Sequence, residues 1–482
     1  MKNIQGYVDD PLVQKRRWLI LISVCLMTFM ATLDSSIVNI ALPVISQQLN
    51  IRMNQTEWII SIYLVIICVC LLPLGKIGDA HGKVKLFKIS IFMFMIGSII
   101  CALSGNLLFL LIGRVIQAIA AGMNLSTNNG IVTEVFPEKD LGKGLAALST
   151  VAAVGSIAGP SLGGLLLSYF HWSYIFWINI PIGIFSIVVG MIVLPKDISK
   201  TFENIDWVGA SSFALGLICT FLAVSFGQES TFKSGPVIVL MSVGIAFLIF
   251  FVWFETHTKN PMLRLSLLKN PIFGIGFMVC LMVYFMNFAF NVVSPFYLEN
   301  VLKLSPNKAG LIWMLFPIVQ IIVAPVSGIL SDRVNQLKLA AIGIFFTFLS
   351  QFGLSFVSDL SPLILFAICV AIMGLGNGVF NTPNNAIAMN SVKTTELGLA
   401  GSLMALAQNL GMVIGNLGTT TLLFSAMSYK TGQHVTNYIK SQPNVFIYGM
   451  HIVFLFTVTL SIVSLFLLVY RVKLQKKVPS LL

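Results

Sequence analysis

The sequence predicts an all-α polytopic membrane protein with fourteen transmembrane helices. Hydrophobic residues make up 57% of the 482 positions and charged residues only 10%, whereas an ordinary soluble domain carries about 25% charged residues. A soluble fold of this length needs far more polar side chains to cover its surface. The apolar residues also fall in blocks of about 20, the length of a membrane-spanning helix, without the alternation that marks the strands of a membrane barrel.

Each apolar block predicts one span. A helix satisfies its own backbone hydrogen bonds in lipid, so a block of this length can cross the bilayer unaided. The first block is too long for the apolar region of a cleavable signal peptide, and we expect it to form the first span. The predicted spans are 18–42, 57–75, 88–104, 107–131, 142–169, 174–195, 207–227, 236–255, 272–297, 309–330, 339–357, 362–388, 397–426 and 446–470.

A faint internal repeat groups these spans into two halves. A glycine, three further residues and an aspartate end the second span at Gly75 and Asp79, and the same pattern ends the tenth at Gly328 and Asp332. Spans 2 and 10 are equivalent if spans 7 and 8 are inserted between two six-helix halves. We predict a cytoplasmic N-terminal segment (1–17), an N-terminal six-helix bundle (18–195), an inserted helix pair with flanking loops (196–270), a C-terminal six-helix bundle (271–470) and a cytoplasmic tail (471–482).

The distribution of basic residues predicts the orientation of the chain. Most of the 29 lysine and arginine residues lie in the N-terminal segment, in alternate connections and in the C-terminal segment. Cytoplasmic connections are rich in these residues, so we expect both termini to be cytoplasmic. No basic cluster is long enough to follow a phosphate backbone, and no nucleic-acid partner is expected. The connections on the other side hold Arg52, Lys233, Lys303, Lys308, Lys430 and Lys440.

Two ionisable residues lie deep within predicted spans of the N-terminal bundle. Asp34 in span 1 is nearly the only acid at this depth, where a carboxylate costs at least about 2.5–3.5 kcal/mol and usually faces an internal cavity. Carboxyl groups in apolar surroundings can take up and release protons near neutral pH. A structural hydrogen bond to a neighbouring helix is the alternative. Arg114 is the only base deep in a predicted span, and it serves either proton coupling or a structural ion pair.

Span 5 contains a run of small residues around a proline. Small residues at a spacing of four allow helices to approach closely, and a proline removes a backbone hydrogen bond and bends the helix. The combination suits a moving seal within a bundle, although a helix that is merely well packed has the same composition. The residues are Gly155, Gly159, Pro160, Gly163 and Gly164.

The connections after spans 2 and 10 are predicted to form a cytoplasmic gate. The first is expected to be a short turn from Gly75 to Lys83. Glycines permit close approach and positive φ, and an aspartate can cap the next helix or pair with a base. Lysines in these connections also satisfy the orientation rule without any further role. The predicted gate residues are Gly75, Asp79, Gly82 and Lys83, with Asp332 and Arg333 in the second copy.

Amide and aromatic side chains within the spans predict a largely apolar, adaptable cavity. Amides are better candidates than phenylalanines, because an amide facing lipid lacks hydrogen-bond partners. No group of His, Cys, Ser or acidic residues converges in the sequence, so we predict no catalytic site, no metal site and no enzyme. The predicted cavity residues are Asn39, Gln117, Tyr284, Asn287, Asn291, Asn381 and Asn384.

These segments together resemble the fourteen-span drug:proton antiporter family of the major facilitator superfamily. The resemblance covers nearly the whole chain, and its motifs occur in the family's order. They are the span-1 motif (33–43), the gate motif (75–83), the span-4 motif linked to proton coupling (114–122), the span-5 antiporter motif (155–164) and two segments that flank the inserted pair (172–183 and 206–209).

The resemblance implies the major facilitator fold, with two six-helix bundles and two inserted central helices. It also implies multidrug efflux from a bacterial cytoplasmic membrane, in which an amphipathic organic compound leaves the cell in exchange for protons. Asp34 then carries the proton, Arg114 controls how readily Asp34 holds it, and span 5 seals the cavity. No cofactor other than the coupling proton is expected. The expected partners are a lipophilic small molecule and membrane lipid, with the chain acting as a monomer.

The sequence also departs from the family pattern at informative positions. Ala80 stands where the gate motif has arginine, Ala118 where the span-4 motif has glycine, and Asn335 where the second gate copy has glycine. Spans 10 and 13 lack the additional carboxylates of relatives that export dicationic disinfectants, so dicationic substrates are not expected. The alternative is a transporter of the same fold that exports a specific endogenous metabolite or a lipid. Anionic compounds rank lower, because only one deep base is predicted.

Overall fold

The computed structural model describes residues 7–197, 206–258, 261–263, 265–331, 333–393, 397–439 and 441–477. Of these residues, 86% are helical. The α-helices in this part of the chain are α1 (Pro11–Gln48), α2 (Met53–His81), α3 (Lys83–Ala102), α4 (Leu107–Val135), α5 (Glu138–Tyr169), α6 (Tyr174–Trp177), α7 (Asn179–Val193), α8 (Trp207–Glu229), α9 (Gly235–His257), α10 (Pro271–Phe296), α11 (Pro306–Trp313), α12 (Leu315–Ser331), α13 (Gln336–Leu354), α14 (Leu363–Asn390), α15 (Leu397–Thr431) and α16 (Pro443–Lys477).

The described helices form 14 segments that are long and apolar enough to cross a membrane, which confirms the predicted number of spans. Two of these spans consist of two α-helices each, α6 with α7 and α11 with α12. In both, a proline follows four residues after the end of the first helix: Pro181 after Trp177, and Pro317 after Trp313. Proline has no N–H to bond to the carbonyl four residues earlier, so the hydrogen-bond ladder is interrupted there.

The connection between the second and third spans is shorter than predicted. Helix α2 continues to His81 and α3 begins at Lys83, so the predicted turn from Gly75 to Lys83 was wrong in extent. Gly82 alone separates the helices, with φ +114°. This conformation favours glycine. The polar residues at the end of α2 ended the apolar run in the sequence without ending the helix.

The chain divides into two compact units. The N unit comprises Met1–Ile51 and Trp58–Ala214, and the C unit comprises Arg52–Glu57 and Leu215–Leu482. The first turn of α2 is therefore part of the C unit. The finer division into two six-helix bundles and a separate inserted pair at 196–270 stays a prediction.

Paired glycines bring α3 and α4 together in the N unit. A Cβ atom added to Gly97 would lie 2.8 Å from the backbone nitrogen of Gln117, and one added to Gly113 would lie 2.9 Å from that of Cys101. These distances are too short for real side chains, so the helices can cross this closely only at glycine. The crossing determines where Arg114, which follows Gly113 in α4, lies relative to α3.

The C unit uses the same device between α13 and α14. A Cβ atom added to Gly343 would lie 2.7 Å from the backbone nitrogen of Phe380, and one added to Gly376 would lie 2.7 Å from that of Thr347. The repeat seen in the sequence therefore extends to the packing of equivalent helix pairs. A core of fully buried apolar side chains surrounds this crossing, formed by Val279, Val283, Met286, Ala340, Ile344, Phe380 and Leu468.

Candidate functional site

Asp34 and Arg114 form a buried ion pair in the N unit. Arg114 Nη1 of α4 donates to Asp34 Oδ2 of α1 over 2.6 Å. The Asp34 side chain is 0% exposed and the Arg114 side chain is 1% exposed. Removal of one partner from such a pair costs about 3–5 kcal/mol, because the remaining charge is buried without compensation. The structure thus brings together the two ionisable residues that the sequence singled out.

Two amides complete the coordination of the Asp34 carboxylate. Gln117 Nε2 and Asn179 Nδ2 donate to Asp34 Oδ1 over 3.1 and 2.8 Å. Both amides also donate to Ser98 Oγ, over 2.8 Å from Gln117 and 3.3 Å from Asn179. All of these side chains are fully buried. Four helices, α1, α3, α4 and α7, therefore meet in one polar cluster inside an apolar bundle, here called the Asp34 cluster and defined by Asp34, Ser98, Arg114, Gln117 and Asn179.

The Arg114 guanidinium is also held by groups other than Asp34. Nη1 donates to Gln117 Oε1 over 2.9 Å, and Nε donates to the Ile59 carbonyl of α2 over 3.2 Å. The guanidinium carbon lies 4.0 Å from the centre of the Tyr63 ring, a cation–π contact. These contacts bind the guanidinium to α2 and to Gln117 of α4 in addition to its bond with Asp34.

The Asp34 carboxylate joins α1 to α4 and α7. When ionised, the Asp34 carboxylate accepts three N–H bonds. A proton on Asp34 removes the charge that balances Arg114 and turns one acceptor oxygen into a donor. The bonds that join α4 and α7 to α1 at this level therefore all depend on one carboxyl group.

The glycines of α5 lie directly on the α1 segment that carries Asp34. Cβ atoms added to Gly155 and Gly159 would overlap Thr32 Oγ1 and Ser36 Oγ, and one added to Gly163 would lie 2.7 Å from Ile37 Cγ1. Ser36 Oγ also donates to the Gly155 carbonyl over 3.2 Å. The glycines of α5 therefore pack closely against α1, within one turn on either side of Asp34.

The other two residues of this motif have different surroundings. Pro160 lies inside α5, between the contacts of Gly159 and Gly163 with α1. The Gly164 carbonyl accepts a bond from Ser168 Oγ over 2.8 Å. These contacts place Gly164 in local helix structure, whereas the other three glycines face α1.

The first predicted gate motif forms a bridge between three helices. Lys83 Nζ at the start of α3 lies 3.1 Å from Asp79 Oδ1 at the end of α2, and it also pairs with Glu134 of α4. A Cβ atom on Gly130 would lie 2.9 Å from Lys83 Cδ, so the lysine stem packs along α4. Lys83 therefore has a structural role in addition to any effect on orientation. Gly75 lies in α2, where an added Cβ would contact the Ser126 side chain at an ordinary 3.9 Å.

Of the two predicted residues of the second gate motif, the structure describes Arg333. Asp332 lies outside the described residues. Arg333 is exposed, and its backbone N–H donates to the Leu330 carbonyl over 3.0 Å.

The predicted cavity residues separate into several groups. Gln117 belongs to the Asp34 cluster, whereas Asn39 Nδ2 donates within α1, to the Ser35 carbonyl over 3.1 Å. In the C unit, Asn287 pairs with Asn377. Asn384 donates to the Gly276 carbonyl and accepts a bond from Arg471. Three residues are half-buried: Tyr284, Asn291 and Asn381.

Sequence reasoning missed several residues of these groups. Asn179 and Ser98 lie in apolar runs of spans 6 and 3, and the rule that an amide within a span needs partners would have selected Asn179. Tyr63 carried no comparable signal. Glu57, the first residue of predicted span 2, is 2% exposed, and neither of its carboxyl oxygens has a hydrogen-bond partner. Asp34 is therefore not the only deeply buried acid.

A second base is also buried, contrary to the prediction that Arg114 is the only one. Helix α16 continues to Lys477, past the predicted start of the tail at 471, and Arg471 within it is 0% exposed. Arg471 follows a long apolar run and precedes several lysines, so the sequence assigned it to the basic cytoplasmic tail that sets the orientation of the chain.

The chain is similar to known membrane transporters. The chain matches the family model of the Major Facilitator Superfamily over residues 24–416 and 276–481. It is 32% identical to the riboflavin transporter RibZ of Clostridioides difficile over 88% of this chain and 92% of that protein. It is 28% identical to the multidrug export protein EmrB of Escherichia coli K12 over 90% of this chain and 86% of that protein.

Solved structures support the fold independently of sequence. A crystal structure of a peptide transporter, POT, superposes with a TM-score of 0.68 at 15% identity, covering 96% of this chain and 95% of that chain. A bacterial homologue of the human lysosomal transporter Spinster gives a TM-score of 0.67 at 13% identity, covering 95% and 97%. These findings confirm the predicted fold and the resemblance to the drug:proton antiporters, and the chain belongs to the Major Facilitator Superfamily.

Proposed function

We propose that this protein is a proton-coupled antiporter that exports amphipathic organic compounds across a bacterial cytoplasmic membrane. The observation that carries the proposal is the Asp34 cluster, in which a carboxylate at membrane depth is paired with Arg114 and bonded by amides from two further positions. A group of this kind can exist in two protonation states with different partners. EmrB, a multidrug export protein with 28% identity, supports the same class of substrate.

In this proposal, protons enter on Asp34 from outside and leave it to the cytoplasm. Protonation weakens the bonds that join α1 to α4 and α7, and deprotonation restores them. The substrate binds in the state from which the proton has left, so that the two cargoes alternate. The membrane potential contributes about 2.3 kcal/mol per charge per 100 mV to the exchange.

In this proposal, the close packing of the α5 glycines on α1 seals the region around Asp34 from water. Gly155 and Gly159 allow the α5 backbone to lie on α1 beside Asp34, and Pro160 weakens the helix ladder at the same level. We infer that α1 and α5 move as one body when the protonation state changes, which keeps water away from the ion pair.

A second candidate is a transporter for one specific metabolite. The relative RibZ is a riboflavin transporter and is 32% identical over 88% of this chain. A flavin is a largely planar, amphipathic molecule, so the same general cavity chemistry serves both candidates. The choice between them depends on how many compounds are transported.

Members of the superfamily are transporters, and we propose no enzymatic step for this chain. The proposal also needs no metal and no cofactor beyond the coupling proton. One chain contains all residues of the Asp34 cluster, so we propose that it acts as a monomer in the membrane.

The test is proton-coupled transport in everted vesicles, with the wild type compared with Asp34→Asn at equal expression. Lipophilic dyes and riboflavin are added separately to energised vesicles while lumenal pH is followed. The proposal expects several compounds to collapse the gradient in the wild type and none to do so in Asp34→Asn. A response to riboflavin alone favours the second candidate. An Asp34→Asn variant that equals the wild type contradicts proton coupling through Asp34.

A further inference from the structure

Arg471 of α16 is fully buried, and one edge of its guanidinium has no partner. Nη1 donates to Asn384 Oδ1 of α14 over 3.0 Å, whereas Nε and Nη2 have no hydrogen-bond partner. No ion pair joins Arg471 to a carboxylate within the part of the chain that the structure describes. A buried charge without a counter-charge is strongly unfavourable, so this position calls for an anion.

Two apolar clusters lie above and below the level of α10 and α14 at which Arg471 is held. The two neighbours of its guanidinium, Gly276 of α10 and Asn384, each lie along their helices between residues of two separate apolar clusters. Asn384 Nδ2 donates to the Gly276 carbonyl over 3.3 Å, which ties α14 to α10 at this level. The two clusters are Val279, Val283, Met286, Ala340, Ile344, Phe380 and Leu468 on one side, and Ile272, Leu337 and Ile387 on the other.

The internal repeat shows that helix packing alone does not require an arginine here. The sequence separation that relates Gly75 to Gly328 also relates Ser23 to Gly276. In the N unit, the helix beside Ser23 contributes Gly190, whose added Cβ would lie 3.1 Å from Ser23 Oγ. The interface between α1 and α7 thus contains small residues at this level, whereas the equivalent interface between α10 and α16 contains a cationic side chain.

The free edge of the guanidinium has the geometry of an anion receptor. Nε and Nη2 lie on the same side of the planar group and donate in parallel, which matches two oxygens of a carboxylate or a phosphate. A Cβ atom on Gly276 would lie 2.7 Å from Nη2. Any side chain at position 276 would therefore crowd the free edge of the guanidinium.

We propose that Arg471 and Asn384 bind an anionic group, a carboxylate or a phosphate, of the exported compound, while the two apolar clusters contact its hydrophobic part. This proposal deepens the proposed function and rests on it for the identity of the ligand as cargo. It reverses the low rank that the sequence assigned to anionic compounds, since a second deep base is present. Because Arg471 is 0% exposed, binding requires a local movement of α10 or α16.

The test compares benzoate with benzamide, two probes of similar shape that differ in charge. Binding is measured by calorimetry on the purified full-length protein in phosphatidylcholine nanodiscs, without a proton gradient. We expect saturable benzoate binding to the wild type and binding of benzamide that is weaker by about tenfold or more. Arg471→Gln is expected to lose benzoate binding to a similar extent.

Two further variants separate the receptor geometry from the charge. Arg471→Lys keeps the charge but cannot donate two parallel bonds, and Gly276→Ala keeps the arginine but crowds its free edge. Both are expected to weaken benzoate binding, and both remain informative if Arg471→Gln does not fold. The matched controls are Lys473→Gln, which removes an exposed charge, and Gly401→Ala, whose new methyl group meets open space. Both controls are expected to bind as the wild type does.

Three results would overturn the proposal. The first is equal affinity of the wild type for benzoate and benzamide, and the second is unchanged benzoate binding in all of the Arg471 and Gly276 variants. The third is stabilisation of the wild type, but not of Arg471→Gln or Arg471→Lys, by phosphatidylglycerol in the nanodisc while benzoate has no effect. That result assigns the site to a lipid headgroup. The assay uses no gradient, so its outcome is independent of whether Asp34 couples transport to protons.

Discussion

Asn287 and Asn377 of the C unit form a reciprocal amide pair, with Nδ2-to-Oδ1 distances of 2.6 and 2.9 Å. The separation that relates Gly75 to Gly328 also relates Asp34 to Asn287. Asn287 therefore occupies the position equivalent to Asp34, and it bonds to the helix equivalent to the one that carries Arg114. An ion pair in one half of the protein therefore has an uncharged counterpart in the other.

Asn287→Leu is expected to lower stability without changing the response of transport to pH. The substitution leaves the Asn377 amide without its reciprocal partner, a loss of about 1–3 kcal/mol in the free energy of unfolding. Thermal unfolding of the purified protein measures this effect, and vesicle transport over a range of external pH measures the response. A pH response altered as strongly as in Asp34→Asn would contradict the uncharged role of this pair.

Arg114→Gln is expected to be less stable than the double variant Asp34→Asn with Arg114→Gln. The single variant leaves a buried carboxylate without its counter-charge, at a cost of about 3–5 kcal/mol, whereas the double variant replaces both charges by amides. The melting temperatures of the wild type, both single variants and the double variant form the required cycle. Effects that simply add would show that the two side chains do not depend on each other.

Gly159→Ala is expected to destabilise the contact between α5 and α1 and to slow transport. The new methyl group would overlap Ser36 Oγ and lie 2.9 Å from the backbone nitrogen of Ile37. Overpacking of this kind costs about 1–3 kcal/mol. Gly401→Ala in α15 is the matched control, because its Cβ has no neighbour within 4 Å. Initial transport rates at equal expression provide the measurement, and equal rates for the two variants would count against a close seal.

Gly82→Ala is expected to lower the free energy of unfolding by about 1–2 kcal/mol, because the left-handed region is unfavourable for a residue with a Cβ atom. Gly82 joins α2 to α3 with φ +114°, next to the Lys83 that pairs with Asp79 and Glu134. Chemical or thermal unfolding measures the change. Gly142→Ala, on α5 and facing open space, is the control, and an equal effect of both substitutions would mean that the backbone at Gly82 is not restrained.

The sequence alone determined the fold class and the position of the principal acid. Fourteen apolar runs predict fourteen spans, because membrane crossing depends on the local length and hydropathy of each segment. Asp34 and Arg114 were identifiable for a related reason: an isolated charge within an apolar run is costly wherever the helix packs. These properties belong to single segments, so they can be predicted without knowing which helices are neighbours.

Only the tertiary structure decided which side chains share a site. Asn179, Ser98 and Gln117 come from three different helices, and their convergence on Asp34 depends on where those helices cross. The burial of Arg471 is of the same kind, since its surroundings are formed by α10 and α14, distant in sequence from α16. Helix crossings are set by close contacts such as those of Gly97 and Gly113, whose partners lie on another helix. A linear sequence specifies such residues without showing which of them meet.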